Sequence, residues 1–111
     1  MGVRLTNERA REIVQIAFEE WVFHTERRVW RCIELKIPLG KNIRLGMQST
    51  KLVTQSSRRV LGKEKASELS KPQIERLRDD LELHGRRQME AFMRMREPWV
   101  VNLARLMRLS K

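Results

Sequence analysis

From Val3 to Ile37 the chain contains neither glycine nor proline. A run of that length, with apolar residues returning every three or four positions, has one regular solution, because nothing in it breaks a helical hydrogen-bond ladder. Thr6 or Asn7 can cap the first turn with a side-chain oxygen, and Glu8 complements the positive end of the helix dipole. The pattern predicts one helix, or two nearly continuous ones, over residues 7 to about 36. At about 100° per residue, Ile13, Val14, Ala17, Phe18 and Trp21 form one apolar stripe, while Val22, Val29, Trp30 and Ile33 form another, rotated by roughly a quarter turn. The rotation falls near His24 and Thr25. It predicts a bend or a change of neighbours; the expectation is that both stripes are internal core, the alternative that surplus aromatics such as Phe23 and Trp30 serve an intermolecular contact.

Pro38 and Gly40 are expected to close this helix. A second helix is expected over about 48–61, ending at Gly62, and its thin apolar face of Leu52, Val53, Val60 and Leu61 marks it as peripheral. The third segment, about 71–109, opens on Ser70-Lys-Pro-Gln73, where Ser70 and Gln73 are spaced as a capping box and Pro72 suits the first turn. Ile74, Leu77, Leu81, Phe92, Met95, Trp99, Leu103 and Leu106 hold one face, which argues for near-continuity; Gly85, after Leu83-His84, and Pro98 are the candidate breaks, and the sequence leaves open whether the segment is one kinked helix or two. Glu82 with Arg86 and Glu90 with Arg94 are spaced for ion pairs along the helix. Alternating strand patterns, repeats and low-complexity tracts are absent. The expected fold class is all-α: a small bundle of a long N-terminal helix, a short basic middle helix and a long kinked C-terminal one.

The 111 residues suit a single domain, and a hydrophobic fraction of 41% supplies a modest core. Cys32 is the only cysteine, so no internal disulfide or Cys-rich zinc site can hold the fold, which fits a reducing, intracellular setting. Apolar runs are far shorter than the ~20 residues of a membrane-spanning helix. The first residues lead directly into Glu8 and Glu12, unlike a secretory signal or a mitochondrial presequence.

Charge is the most informative feature for function. The chain carries 24 basic and 14 acidic residues, a net +10. Residues 1–36 hold seven basic and six acidic side chains, 37–71 hold eight and two, and 72–111 hold nine and six. Between Leu35 and Lys63 no acid occurs. Arg44, Lys51, Arg58 and Lys65 recur every seven residues, about 10 Å apart along a helix, with Gln48, Thr54 and Gln55 near the same side. A row of cations without counter-charges suits a polyphosphate, since phosphate contacts release condensed counterions and need no base readout. Lys41, Arg59 and Lys63 extend the candidate binding set, and Arg86-Arg87 and Arg27-Arg28 are further clusters. Seventeen of the 24 basic residues are arginine, whose planar fork suits phosphate. Residues 37–71 contain no aromatic residue, which favours recognition of a duplex or folded RNA by shape over single-strand stacking.

Catalysis, cofactor and metal chemistry find no motif. Cys32 lies next to an apolar stripe, His24 and His84 are isolated, Asp79 and Asp80 point to different helix faces, and no phosphate-cradling glycine loop exists. The resulting expectation is a small, basic, non-catalytic RNA-binding protein, with DNA as the second ligand, acting alone or in a ribonucleoprotein. The alternative is a helical scaffold, accessory subunit or homodimer using apolar surplus at Met89, Met93, Val100 and Met107. A third reading, a myristoylated membrane-surface protein, rests on Gly2 and Thr6 in Met1-Gly-Val-Arg-Leu-Thr6.

Overall fold

The fold is described from a computed structural model covering residues 3–109, the side chains of Asn42 and Leu109 apart. The Gly2 acylation signal lies outside the described residues. Five α-helices follow one another: α1 (Asn7–Leu35), α2 (Leu45–Leu61), α3 (Lys63–Ser67), α4 (Lys71–Arg94) and α5 (Pro98–Leu109), with a 3-10 turn at Lys41–Ile43. No strand occurs among the described residues, and the architecture is the all-α bundle expected. At 1.5 Å per residue α1 is about 43 Å long. It therefore sets the long axis of a molecule measuring 49 × 25 × 21 Å.

The helix starts follow the sequence signals. Thr6 accepts a hydrogen bond from the Arg9 amide at 3.2 Å. Ser70 and Gln73 form a complete capping box, and Pro72 sits in the first turn of α4. The helix ends are built differently from expectation. α1 stops before Pro38 because Lys36 adopts a left-handed conformation (φ 54°, ψ 41°), and the amides of Lys36 and Ile37 turn back to the carbonyls of Ile33 and Cys32. Gly40 takes no part; it is extended. α4 ends on the same motif: Arg96 has φ 54°, and the amides of Arg96 and Glu97 bond to Met93 and Phe92. In both stops a basic residue takes the position glycine usually holds, and proline follows two residues later.

The C-terminal segment is thus two helices, not one kinked one. Pro98 opens α5, where its missing N–H costs nothing. Met95, assigned to the apolar stripe, falls in the connection and is 69% exposed. Gly85 does not interrupt α4. It is buried, and a Cβ there would stand 2.0 Å from Leu45 Cδ2, so the missing side chain lets α4 approach the start of α2. Glycine mid-helix serves packing here, at a cost of about 1 kcal/mol in propensity.

α2 begins three residues earlier than expected and is not peripheral. Ser49, Leu52, Val53, Ser56 and Ser57 are all buried, and α2 lies against both α1 and α4. Its serines were the misleading feature: small side chains count little as apolar, yet they allow close helix approach. Ser57 donates to the Val53 carbonyl at 2.7 Å and Ser49 to Glu82 Oε1 at 3.1 Å, so their hydroxyls are satisfied in place. Glu82 thereby turns from its expected partner Arg86 toward α2, whose first turn holds no acid of its own. Neither that pair nor Glu90–Arg94 forms among the described ion pairs.

Leu45 meets Gly85 and Ser49 meets Glu82, so α2 runs against α4; Gln73 bonds the Val3 carbonyl and Phe18 stacks on Phe92, so α4 runs with α1. The core is one contiguous cluster drawn from every long helix and from Leu39, Ile43 and Leu69 between them. In α1 its stripe does not rotate. Val14, Phe18, Trp21, Thr25, Val29 and Cys32 are buried in constant helical phase, and Trp30 is not among them. Thr25 and Cys32, weakly apolar by type, carry the face through the point where it had seemed to turn. Trp21 anchors it, donating its indole N–H to the Ile43 carbonyl at 2.9 Å and meeting Trp99 edge-on at 6.4 Å.

Candidate nucleic-acid interface

All nine candidate residues, Lys41, Arg44, Lys51, Arg58, Arg59, Lys63, Lys65, Arg86 and Arg87, are exposed. They do not form one helical row. Arg44 is the extended residue that precedes α2, and Lys65 sits on α3 beyond Gly62, whose φ of 88° breaks the helix. Lys51 and Arg58 alone of the seven-residue series share a helix, two turns apart. Arg59 lies about a quarter turn round from Arg58 and pairs with Glu20 of α1, which also faces His24 at 3.2 Å. Of the basic residues between Leu35 and Glu64, Arg59 is the one that finds a carboxylate among the described residues. The others keep their charge for solvent or a ligand.

Tertiary packing adds cations the row lacked. Arg28 crosses from α1 over Gly40, where a Cβ would come within 2.8 Å of its guanidinium, and lines a cleft of about 380 Å³ with Met47, Gln48 and Lys51. Arg28 also lines a second cleft, of about 840 Å³, with Arg27, Arg31 and Trp30. The two clefts therefore share the Arg28 side chain as a common wall. A third, of about 470 Å³, gathers Lys41, Arg44 and Arg108 around Leu39, Ile43 and Met107. Arg86 and Arg87 stand on α4 and line none of the three. Residues 27–65 thus hold eleven basic and two acidic side chains, while the rest of the chain is nearly balanced.

Along the chain Arg31 and Arg108 do not stand out and Arg27-Arg28 shows only as a basic pair, because Glu26 and Glu34 flank the α1 arginines. Folding separates them from those acids only in part, but it brings Arg28 beside Lys51, 23 residues on. The available signal was the paired Arg27-Arg28.

The groove at the other end of the molecule has different chemistry. Between the starts of α1 and α4 a cleft of about 770 Å³ is lined by Glu8, Glu12 and Asp80 together with Arg11, Arg76 and His84. Mixed signs at that density attract no polyanion. His84 sits edge-on against Phe18 at 5.1 Å, and its Nε2 is buried without a hydrogen-bond partner among the described residues. Cys32 is buried, its thiol 4.0 Å from the Pro38 carbonyl. No group of three His, Cys, Asp or Glu side chains converges among the described residues. No helix there is long and apolar enough to cross a membrane.

The apolar surplus proposed for the C-terminal segment divides. Val100 is core at 2% exposure, Met89 packs on the core, and Met93 and Met107 remain exposed. Val100 was misplaced because the buried face of α5 is wider than the stripe of Trp99, Leu103 and Leu106 and takes in the position beside Trp99.

Set against protein-family models, characterised proteins and solved structures, the chain matches none.

Proposed function

We propose that this protein binds the phosphate backbone of structured RNA without catalysing a reaction, DNA being the second ligand. One observation carries the reading: the outer side of α2 and the adjoining end of α1 expose Lys51, Arg58 and Arg28 with no carboxylate paired to any of them among the described residues. This surface carries no counter-charge of its own among the described residues. Left open, it gains most from a ligand whose own charges are closely and regularly spaced, which a nucleic-acid backbone supplies. Gln48 beside Lys51 adds a neutral donor for a phosphate or sugar oxygen.

The test is fluorescence anisotropy with labelled duplex RNA, single-stranded RNA and duplex DNA between about 50 and 200 mM salt, where six or more phosphate contacts cost ~10³-fold in affinity. Submicromolar binding with a steep salt slope is expected, RNA ranking first. Weak binding to all three ligands at the lowest salt would overturn the reading.

A further inference from the structure

We infer that Trp30 is a stacking platform for an unpaired base of the RNA whose backbone lies along α2, so that the preferred ligand is a helix with an unpaired nucleotide beside it. The inference rests on the phosphate-binding reading and narrows its substrate class. The chain has three tryptophans, and they are treated unequally: Trp21 and Trp99 are 4% and 5% exposed, Trp30 is 41% exposed. Trp30 projects from the side of α1 opposite the constant stripe of Val29 and Cys32, so it is not a core residue caught at an edge.

Its surroundings select the occupant. Arg27 and Arg31 lie one turn before it and one position after it, Arg28 completes the cleft, and Glu34 is the one acid in the lining. The surface asks for something flat and apolar that carries negative charge on both sides. A nucleotide has that constitution: the base covers the indole and its flanking phosphates meet the guanidinium groups. An aromatic interleaved with basic residues is the composition of single-strand platforms. The sequence marks Trp30 as a surplus aromatic and Arg27-Arg28 as a basic pair, but does not join them to the acid-free window because they belong to α1. Arg27 is held in place by Phe23, its guanidinium carbon 5.5 Å from the ring centroid.

The path of the strand has a direction. Toward the start of α1 the surface carries Glu26, one turn before Trp30, and Glu19, which line an apolar groove with Phe23 and Phe92. Phosphates are repelled there. From Trp30 the favourable route leads instead through Arg28 to Gln48 and Lys51.

The experiment compares a blunt RNA duplex with the same duplex bearing a short unpaired overhang, against the unmodified protein, Trp30→Ala, Trp30→Phe and the double variant Lys51→Glu/Arg58→Glu. The overhang should tighten binding to the unmodified protein and quench its tryptophan emission. Trp30→Ala should lose roughly tenfold on the overhang probe, nothing on the blunt duplex, and leave the salt slope unchanged, with Trp30→Phe retaining most of the affinity. The double variant should weaken both probes and flatten the slope. If the double variant behaves so while Trp30→Ala binds the overhang like the unmodified protein, stacking is overturned and the backbone reading stands. If neither variant alters binding, both readings fail. A Trp30→Ala effect equal on the two probes, or a change of oligomeric state in sedimentation with RNA affinity intact, would overturn stacking by making Trp30 a structural or protein-contact residue.

Discussion

Trp21 and Trp30 stand nine residues apart on the same unbroken helix, and the two ends of α1 to which they belong do opposite work. Residues 7–26 carry five acids and two arginines, and Phe18 and Trp21 turn inward while Phe23 stays exposed: Trp21 holds Ile43, Trp99 and Phe18 together through one hydrogen bond and two ring contacts. Residues 27–35 carry three arginines and one acid, and their aromatic turns outward. A helix of this length outreaches the width of the core it serves. The acidic end is spent on cohesion with α4 and α5, which leaves the basic end, α2's outer side and the connection between them as the surface available to a ligand.

The largest effect that could break this contrast is on stability. Trp21→Ala should cost about 3–5 kcal/mol, as large aromatic truncations in cores do, whereas Trp30→Ala should cost less than about 1 kcal/mol. Urea denaturation of both variants measures it, and similar losses would show that the two ends are not distinct. Next comes the charge. Lys51→Glu with Arg58→Glu should lower the slope of log affinity against log salt by about two while leaving the denaturation midpoint nearly unchanged. A smaller effect tests where the acidic end of α1 meets α2, at Glu20. Glu20→Gln removes the partner of Arg59; the partly exposed pair contributes at most about 1 kcal/mol, and the freed guanidinium should steepen the salt slope by about one. An unchanged slope would place Arg59 outside the binding surface. The smallest expected change is at the stop of α1. Lys36→Gly relieves a left-handed non-glycine residue and should raise stability by up to about 1 kcal/mol in thermal unfolding.

Much of the local structure was legible in the residues. The Ser70-Pro72-Gln73 start of α4 and the Thr6 cap of α1 emerged as read, because caps are local hydrogen-bond chemistry within four residues. The helix stops were less legible. Lys36 and Arg96 enter the left-handed region without being glycine, and the only sequence trace is a proline two positions on. Gly85 had the right type for a stop and served another purpose, since its neighbour Leu45 lies forty residues away in the chain. The candidate interface was half legible. Lys51 and Arg58 followed from spacing; the approach of Arg28 to Lys51, and the loss of Arg59 to Glu20, did not.

By itself the sequence determined that the chain is helical, where α1 and α4 start, and that positive charge gathers around its middle. These are consequences of propensity, capping and composition, which act over a few residues at a time. Tertiary structure decided which faces those helices show. It buried α2 through serines that no hydrophobicity pattern ranks highly, kept the α1 stripe straight through Thr25 and Cys32, and set Arg28 beside Lys51. Burial and charge proximity depend on what another helix brings to the same place, and that is a property of the packed chain as a whole.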